Sequence, residues 1–183
     1  MQEDYPVAVE WKAFDLRPGT PPEGIPRPDT PEQKAGQILT GHAGKAAEEA
    51  GLLMRRSGLT PRTRPAMEAT EYAKTRGKFD EYHRALFKAY WEEGKNLGDV
   101  TVLQQEADRV GLDSAEVGRV VQERHYAEEV EQQVRFAHQV GITGIPAFIV
   151  DERYLFTGAQ PYSFFKQVID RVLEERGGGG GGT

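Results

Sequence analysis

Pro146 stands directly before a short apolar run, Ala147-Phe148-Ile149-Val150, and after the glycine-bearing stretch Gly141-Ile142-Thr143-Gly144-Ile145. Proline has no N–H to give to a β-ladder, so a proline at the entrance to a buried strand is unusual. Two backbone arrangements satisfy it: a cis peptide bond that turns the chain sharply, or a glycine-lined turn with an ordinary trans proline. The residue types leave both open. Beyond the run, Asp151-Glu152 reads as a tight polar turn and Arg153-Tyr154-Leu155-Phe156-Thr157 as a second strand. Together these segments predict a β-hairpin. A helix with Phe164, Phe165, Val168, Ile169, Val172 and Leu173 on its buried side follows.

The chain ahead of this hairpin has a different character. Residues 7–14, VAVEWKAF, alternate Val7, Val9, Trp11 and Ala13 with Ala8, Glu10 and Lys12, which predicts a half-buried strand. RPGTPPEGIPRPDTP then holds six of the eleven prolines and is expected as an extended connector. Thr30-Pro31-Glu32-Gln33 reads as a capping box opening a helix, which Gly41 and Gly44 loosen and Gly51 ends. From about residue 64 to 140 the pattern is helical throughout. Phe79, Tyr82, His83, Leu86, Phe87 and Tyr90 form one stripe, Leu103, Ala107 and Val110 a second, Val117, Val120 and Val121 a third, and Tyr126, Val130, Val134 and Ala137 a fourth. Asp99 and Asp113 are the expected helix caps. The order is strand, long helical excursion, hairpin, helix, which predicts an α/β unit with a helical insertion.

Composition removes whole classes of function. The chain of 183 residues contains no cysteine, which excludes disulfides, thiolate metal sites and a cysteine nucleophile among these residues. A net charge of −6 argues against a nucleic-acid partner, since phosphate neutralisation needs basic clusters. No apolar run approaches the length of a membrane span, and MQEDYPVAVEWKAF has neither a basic start nor an apolar core, so a cytoplasmic protein is expected.

Four segments in order carry a family resemblance. Gly141 through Phe148 resembles the cis-proline loop of DsbA-type thioredoxin-fold proteins. Trp11-Lys12-Ala13-Phe14-Asp15-Leu16-Arg17-Pro18 with Pro21-Pro22-Glu23-Gly24, Ala73 through Lys78 with Ala85 through Tyr90, and Tyr154 through Pro161 are similar to the FrnE-like branch, whose members are thiol–disulfide oxidoreductases or dithiol–disulfide isomerases. The resemblance implies a thioredoxin-like (DsbA-type) α/β sheet with a large inserted α-helical subdomain. It divides the chain into a discontinuous thioredoxin-like part, 1–29 and 141–176, around a helical insertion, 30–140, with 177–183 as a flexible glycine tail. In the family a Cys-x-x-Cys pair follows the first strand, at the start of a helix whose dipole lowers the thiol pKa. Neither that strand nor that helix is recognisable here. Met1 is accordingly expected to be an internal methionine of a longer protein. Residues 7–14 and 147–150 would each lack a neighbour, exposing edge groups and inviting a homodimer through 7–14.

No other constellation rises above ordinary structure. His83 lies one helical turn from Asp80, but its place in an aromatic stripe favours a half-buried interface histidine over a metal ligand. His125 and His138 lie thirteen apart with no convergent carboxylate pattern, and no serine sits in a Gly-x-Ser-x-Gly elbow. Arg55, Arg56, Arg62 and Arg64 read as a solvated connector. No metal and no cofactor are expected, and no catalytic residue is assigned.

The expected function is therefore that of a DsbA/FrnE-like thiol–disulfide oxidoreductase family protein, redox-inactive as it stands. Gly144, Ile145 and Pro146 would bind an extended peptide or a protein thiol/disulfide substrate by strand addition. A cysteine-free peptide-binding or partner-binding, chaperone-like module is the alternative. A glutathione-dependent isomerase or transferase is a weaker one, because relatives of that kind keep a serine at a position this chain lacks.

Overall fold

Three alanines on one side of a helix let neighbouring helices pack closely against it. In α2 (Arg64–Thr75), Ala66, Ala69 and Ala73 recur at spacings of three and four, and with Tyr72 they are buried. Small side chains let neighbouring backbones approach, and larger ones from those neighbours fill the space between. The neighbours are α3 (Phe79–Trp91), α4 (Val100–Arg109) and α5 (Ser114–Gln122). They contribute Tyr82, Leu86 and Ala89, Leu103 and Ala107, and Val117, Val120 and Val121 to one core cluster. The computed structural model describes residues 4–178. The chain divides into two units, Met1–Val134 and Arg135–Thr183.

Helix ends in the first unit follow the sequence. Asp99 accepts from the Thr101 N–H at 2.8 Å and Asp113 from the Glu116 N–H at 3.0 Å, each satisfying an orphan donor of the first turn. The reciprocal half of the Asp113–Glu116 box is not made, because Glu116 turns its carboxylate to Arg119 instead. Gly111 ends α4 with φ 73°, and the Leu112 N–H reaches back to the Ala107 carbonyl at 2.9 Å.

Before α2 the sequence expectations need correction. Residues 7–14 form no strand: among the described residues no ladder includes them. A period-two pattern makes a strand only when a second strand supplies its hydrogen bonds, and none is adjacent. Thr30 does accept from the Gln33 N–H at 3.1 Å, as an N-cap would, but the Gln33 carbonyl accepts from the Thr30 N–H at 3.0 Å and the chain closes into a turn. The helix, α1 (Gly41–Glu49), begins ten residues after Pro31. Gly44 lies inside it rather than breaking it, and only glycine fits there, since a Cβ would meet the Leu39 carbonyl oxygen at 1.9 Å. The proline-rich connector adds a two-residue strand, β1 (Ile25–Pro26), paired antiparallel with β2 (Leu59–Thr60). Arg56 is buried and donates to the carbonyls of Pro28 at 2.6 Å and Arg27 at 3.3 Å, so it clamps the connector instead of facing water.

Two side-chain clusters tie the first unit further. Glu106 sits on the buried face of α4 and is 1% exposed; Lys95 donates to it at 2.9 Å and Arg109 at 3.0 Å, while Glu93 pairs with the same two cations. The hydrogen bond to Glu93, then that to Glu106, holds the Lys95 ammonium above its ordinary pKa. The second cluster is aromatic. His83 lies with ring centroids 5.1 Å from Trp11, 5.0 Å from Phe79 and 4.6 Å from Phe87. Burial pulls its imidazole below the ordinary histidine range, with Asp80 opposing and Lys74 reinforcing that shift.

The helix α6 (Ala127–Gln139) carries Val130 and Val134, both buried, in the first unit, and its last residues belong to the second. The second unit contains the predicted hairpin, β3 (Ala147–Val150) antiparallel to β4 (Tyr154–Thr157), and α7 (Tyr162–Gly178). Phe148 and Phe156 are cross-strand partners with centroids 5.3 Å apart, and Phe165 meets both edge-on at 4.8 and 5.2 Å. Asp151 and Glu152 both adopt φ 56°, and the Arg153 N–H donates to the Val150 carbonyl at 3.2 Å. Two successive left-handed residues in such a turn have the twist a hairpin needs. Gly177 and Gly178 belong to α7 rather than to a tail, and 179–183 lie outside the described residues.

Three outcomes follow from this packing. Lys95→Met leaves Glu106 with one cation in place of two and lowers stability by about 2 kcal/mol, read from the urea midpoint. Glu152→Gly relieves left-handed strain and stabilises the hairpin by about 0.5 kcal/mol, read as slower amide exchange at Leu155. For His83 the unfolded imidazole takes up a proton first as pH falls. Stability is therefore full above about pH 6.5 and declines below it, until the lower folded pKa is passed. His83→Phe removes that part of the slope in thermal melts between neutral pH and the carboxylate range.

Candidate functional site

The segment Gly144-Ile145-Pro146 sits where a loop enters β3. The Ile142 N–H closes the end of α6 on the Ala137 carbonyl at 2.9 Å, and Gly141, at φ 85°, makes the turn out of the helix. The Ile145–Pro146 peptide bond is cis. The Gly158 N–H donates to the Pro146 carbonyl at 2.8 Å, so the segment is pinned to the end of β4. Ile145 is 56% exposed, Pro146 is exposed, and a Cβ on Gly144 would meet open space. Among the described residues neither the N–H nor the carbonyl of Ile145 has a main-chain partner. The three predicted residues thus form one continuous, accessible stretch of backbone ahead of a strand.

The hairpin below it has two unlike faces. Phe148 and Phe156 turn towards α7, and the opposite face carries the cross-strand pair Ile149 and Leu155, both exposed. Each of the two strands has one edge without a ladder partner among the described residues. Such an edge offers alternating N–H and carbonyl groups beside an apolar face, which is what an added strand needs.

The serine and histidine nearest to a catalytic role make local contacts. Ser57 donates to the Leu59 carbonyl at 2.7 Å and accepts from its N–H at 3.1 Å, a local turn contact. His125 pairs with Glu123 at 2.7 Å on the surface. Among the described residues no three histidine, aspartate or glutamate side chains gather as a metal site, and no helix is long and apolar enough to cross a membrane. Sequence reading missed the Lys95–Glu93–Glu106–Arg109 cluster. A signal for it exists: Glu106 interrupts the Leu103, Ala107, Val110 stripe, and a carboxylate on a buried face requires cationic partners.

Known proteins resemble this chain in sequence and fold. A family profile described as DSBA-like thioredoxin domain matches residues 1–170. The protein YwbO of Bacillus subtilis is 30% identical over 167 residues, covering 90% of this chain and 82% of its own. A crystal structure described as a probable DsbA oxidoreductase from Streptomyces coelicolor superposes with a TM-score of 0.70 at 25% identity, over 90% of this chain and 74% of that one. A 2-hydroxychromene-2-carboxylate isomerase superposes with a TM-score of 0.65 at 14% identity, over 96% of this chain and 86% of that one, and shares the fold. The resemblance read from Gly141–Phe148 and from the three other segments is therefore correct at family level, and the fold is thioredoxin-like of the DsbA type. With a profile match across nearly its whole length, this chain belongs to the DSBA-like thioredoxin domain family.

Proposed function

We propose that these residues serve the substrate-holding side of a DsbA/FrnE-like thiol–disulfide system, and that they carry out no dithiol chemistry themselves. The observation that carries this reading is the exposed Ile145, whose N–H and carbonyl have no main-chain partner among the described residues and lie beside β3. An extended protein segment would pair with the Ile145 N–H and carbonyl as an added strand, with Gly144 leaving room for its approach and Pro146 setting the direction of the loop. In this reading 1–29 and 141–176 form the thioredoxin-like part and 30–140 its helical insertion.

Thiol–disulfide exchange requires a thiolate to attack a disulfide sulfur and a second thiol to release the product. With no cysteine among 183 residues, neither role can be filled here. A sulfur-bearing substrate would be held, and the attacking thiolate would belong to another molecule or segment. The alternative, a chaperone-like module, uses the same backbone and differs only in binding segments without regard to thiols. A glutathione-dependent isomerase reading rests on the shared fold and has no residue to support it.

The test joins an activity to a binding measurement. The chain is expected to reduce insulin no faster than buffer. It is expected to bind fluorescent extended peptides, and Ile145→Pro, which removes the N–H, should weaken that binding about tenfold, equivalent to one lost hydrogen bond. Amide spectra of Ile145→Pro should keep the hairpin signals. Insulin turnover, or peptide binding indifferent to Ile145→Pro in a folded variant, would overturn the proposal.

A further inference from the structure

The left-handed residue that closes α1, α2 and α4 is a glycine: Gly51, Gly77 and Gly111. After α5 the same position is Arg124, at φ 57°. The closing bonds there are the usual ones, from the Arg124 N–H to the Val121 carbonyl at 3.2 Å and from the His125 N–H to the Val120 carbonyl at 2.9 Å. Glycine adopts this conformation with less strain, so what keeps an arginine there is its side chain. The guanidinium, 55% exposed, donates to Oε1 of Glu68 on α2 at 3.3 Å, and the Glu68 side chain is only 3% exposed. Arg64 Nε lies 3.7 Å from the same oxygen, too far for a hydrogen bond. Glu68 Oε2 and Arg64 Nε are both buried without a hydrogen-bond partner among the described residues. Arg64 is otherwise held, donating to the Ala127 carbonyl at 3.1 Å and to Glu131 at 2.8 Å. Arg64 and Arg124 line an open cleft of about 340 Å³ together with Ala127, Glu128 and Glu131.

We propose that Arg124 stands in for the guanidinium group of a ligand, and that the cleft takes such a group onto Glu68 when the Arg124 side chain turns outward. Charge selects the class of ligand. With Arg124 turned away, Glu68, Glu128 and Glu131 outnumber Arg64, so the cleft favours a cation over an anion. Hydrogen bonding narrows it further. A planar guanidinium donates two parallel N–H groups and can serve both oxygens of a carboxylate, whereas an ammonium is a point charge. Arg124 does not achieve this, because it reaches Oε1 and leaves Oε2 unserved. Releasing Oε1 also frees the carboxylate to turn towards the Arg64 Nε–H, so both orphaned atoms gain partners in the liganded arrangement. A buried carboxylate without such partners carries a desolvation penalty, which is the force that draws the ligand in. Every residue of this site belongs to the first unit, and none comes from Gly144–Pro146, so it stands or falls separately from the function proposed above.

NMR titration of the full chain with ethylguanidinium chloride, at constant ionic strength, tests the site. Arg124→Gly suits the left-handed turn and removes the competing guanidinium. It should bind ethylguanidinium roughly tenfold more tightly than the wild-type chain does. Arg124→Asn, also tolerated in that conformation, repeats the comparison with a different side chain. In both variants the Arg64 Nε–H signal should move on titration, which general charge screening would not bring about. Tetramethylammonium has the same charge and no N–H, and should leave that signal in place. N-acetylarginine methylamide in place of ethylguanidinium identifies the source of the group. Equal affinity assigns the site to an arginine side chain of a partner, and weaker binding assigns it to a small free guanidine. Equal affinity of wild-type and variant chains for ethylguanidinium, an unmoved Arg64 Nε–H signal, or a response to tetramethylammonium that matches the guanidinium would overturn the proposal.

Discussion

Tyr82 is the residue around which the helical unit closes. It is fully buried, and its hydroxyl donates to the Leu103 carbonyl at 3.0 Å, joining α3 to α4 by a hydrogen bond inside the apolar core. A buried phenol without a partner would cost free energy, so that carbonyl decides where the two helices can sit. Burial, with the Glu106 carboxylate adding to it, pushes the phenol well above the ordinary tyrosine range and keeps it a donor. The alanines of α2 make the close approach possible, and the paired cations on Glu106 stabilise the second polar group in the same core. Apolar packing supplies the driving force; these two polar contacts restrict it to one arrangement.

The second unit solves a different problem with fewer residues. A two-stranded hairpin is marginal alone and needs a helix against one face. Phe148, Phe156, Phe164 and Phe165 supply that contact through edge-on and stacked rings. The opposite face, with Ile149 and Leu155, is left to solvent, and the loop at Ile145 opens beside it. The exposed backbone at Ile145 is thus in place, while no residue of the sequence carries a thiol. Separating holding from reaction is chemically coherent, because strand addition draws on main-chain groups that every residue carries.

The sequence by itself determined the helices of 64–139, the hairpin and the final helix. Their stripes at three and four, their aspartate caps and their closing glycines are local features that need no distant partner. It also determined the family and the absence of thiol catalysis among these residues, and it singled out Gly144-Ile145-Pro146 as a continuous segment. Only the tertiary structure decided the fate of 7–14, which alternates like a strand and forms none, because a ladder belongs to two segments and not to one. The same holds for Thr30–Gln33, whose capping contact forms while the chain turns away from a helix, and for Arg56, whose charge reads as solvated until the carbonyls of Arg27 and Pro28 enclose it. Local patterns state what a segment can become; hydrogen-bond partners far along the chain select which of those states is realised.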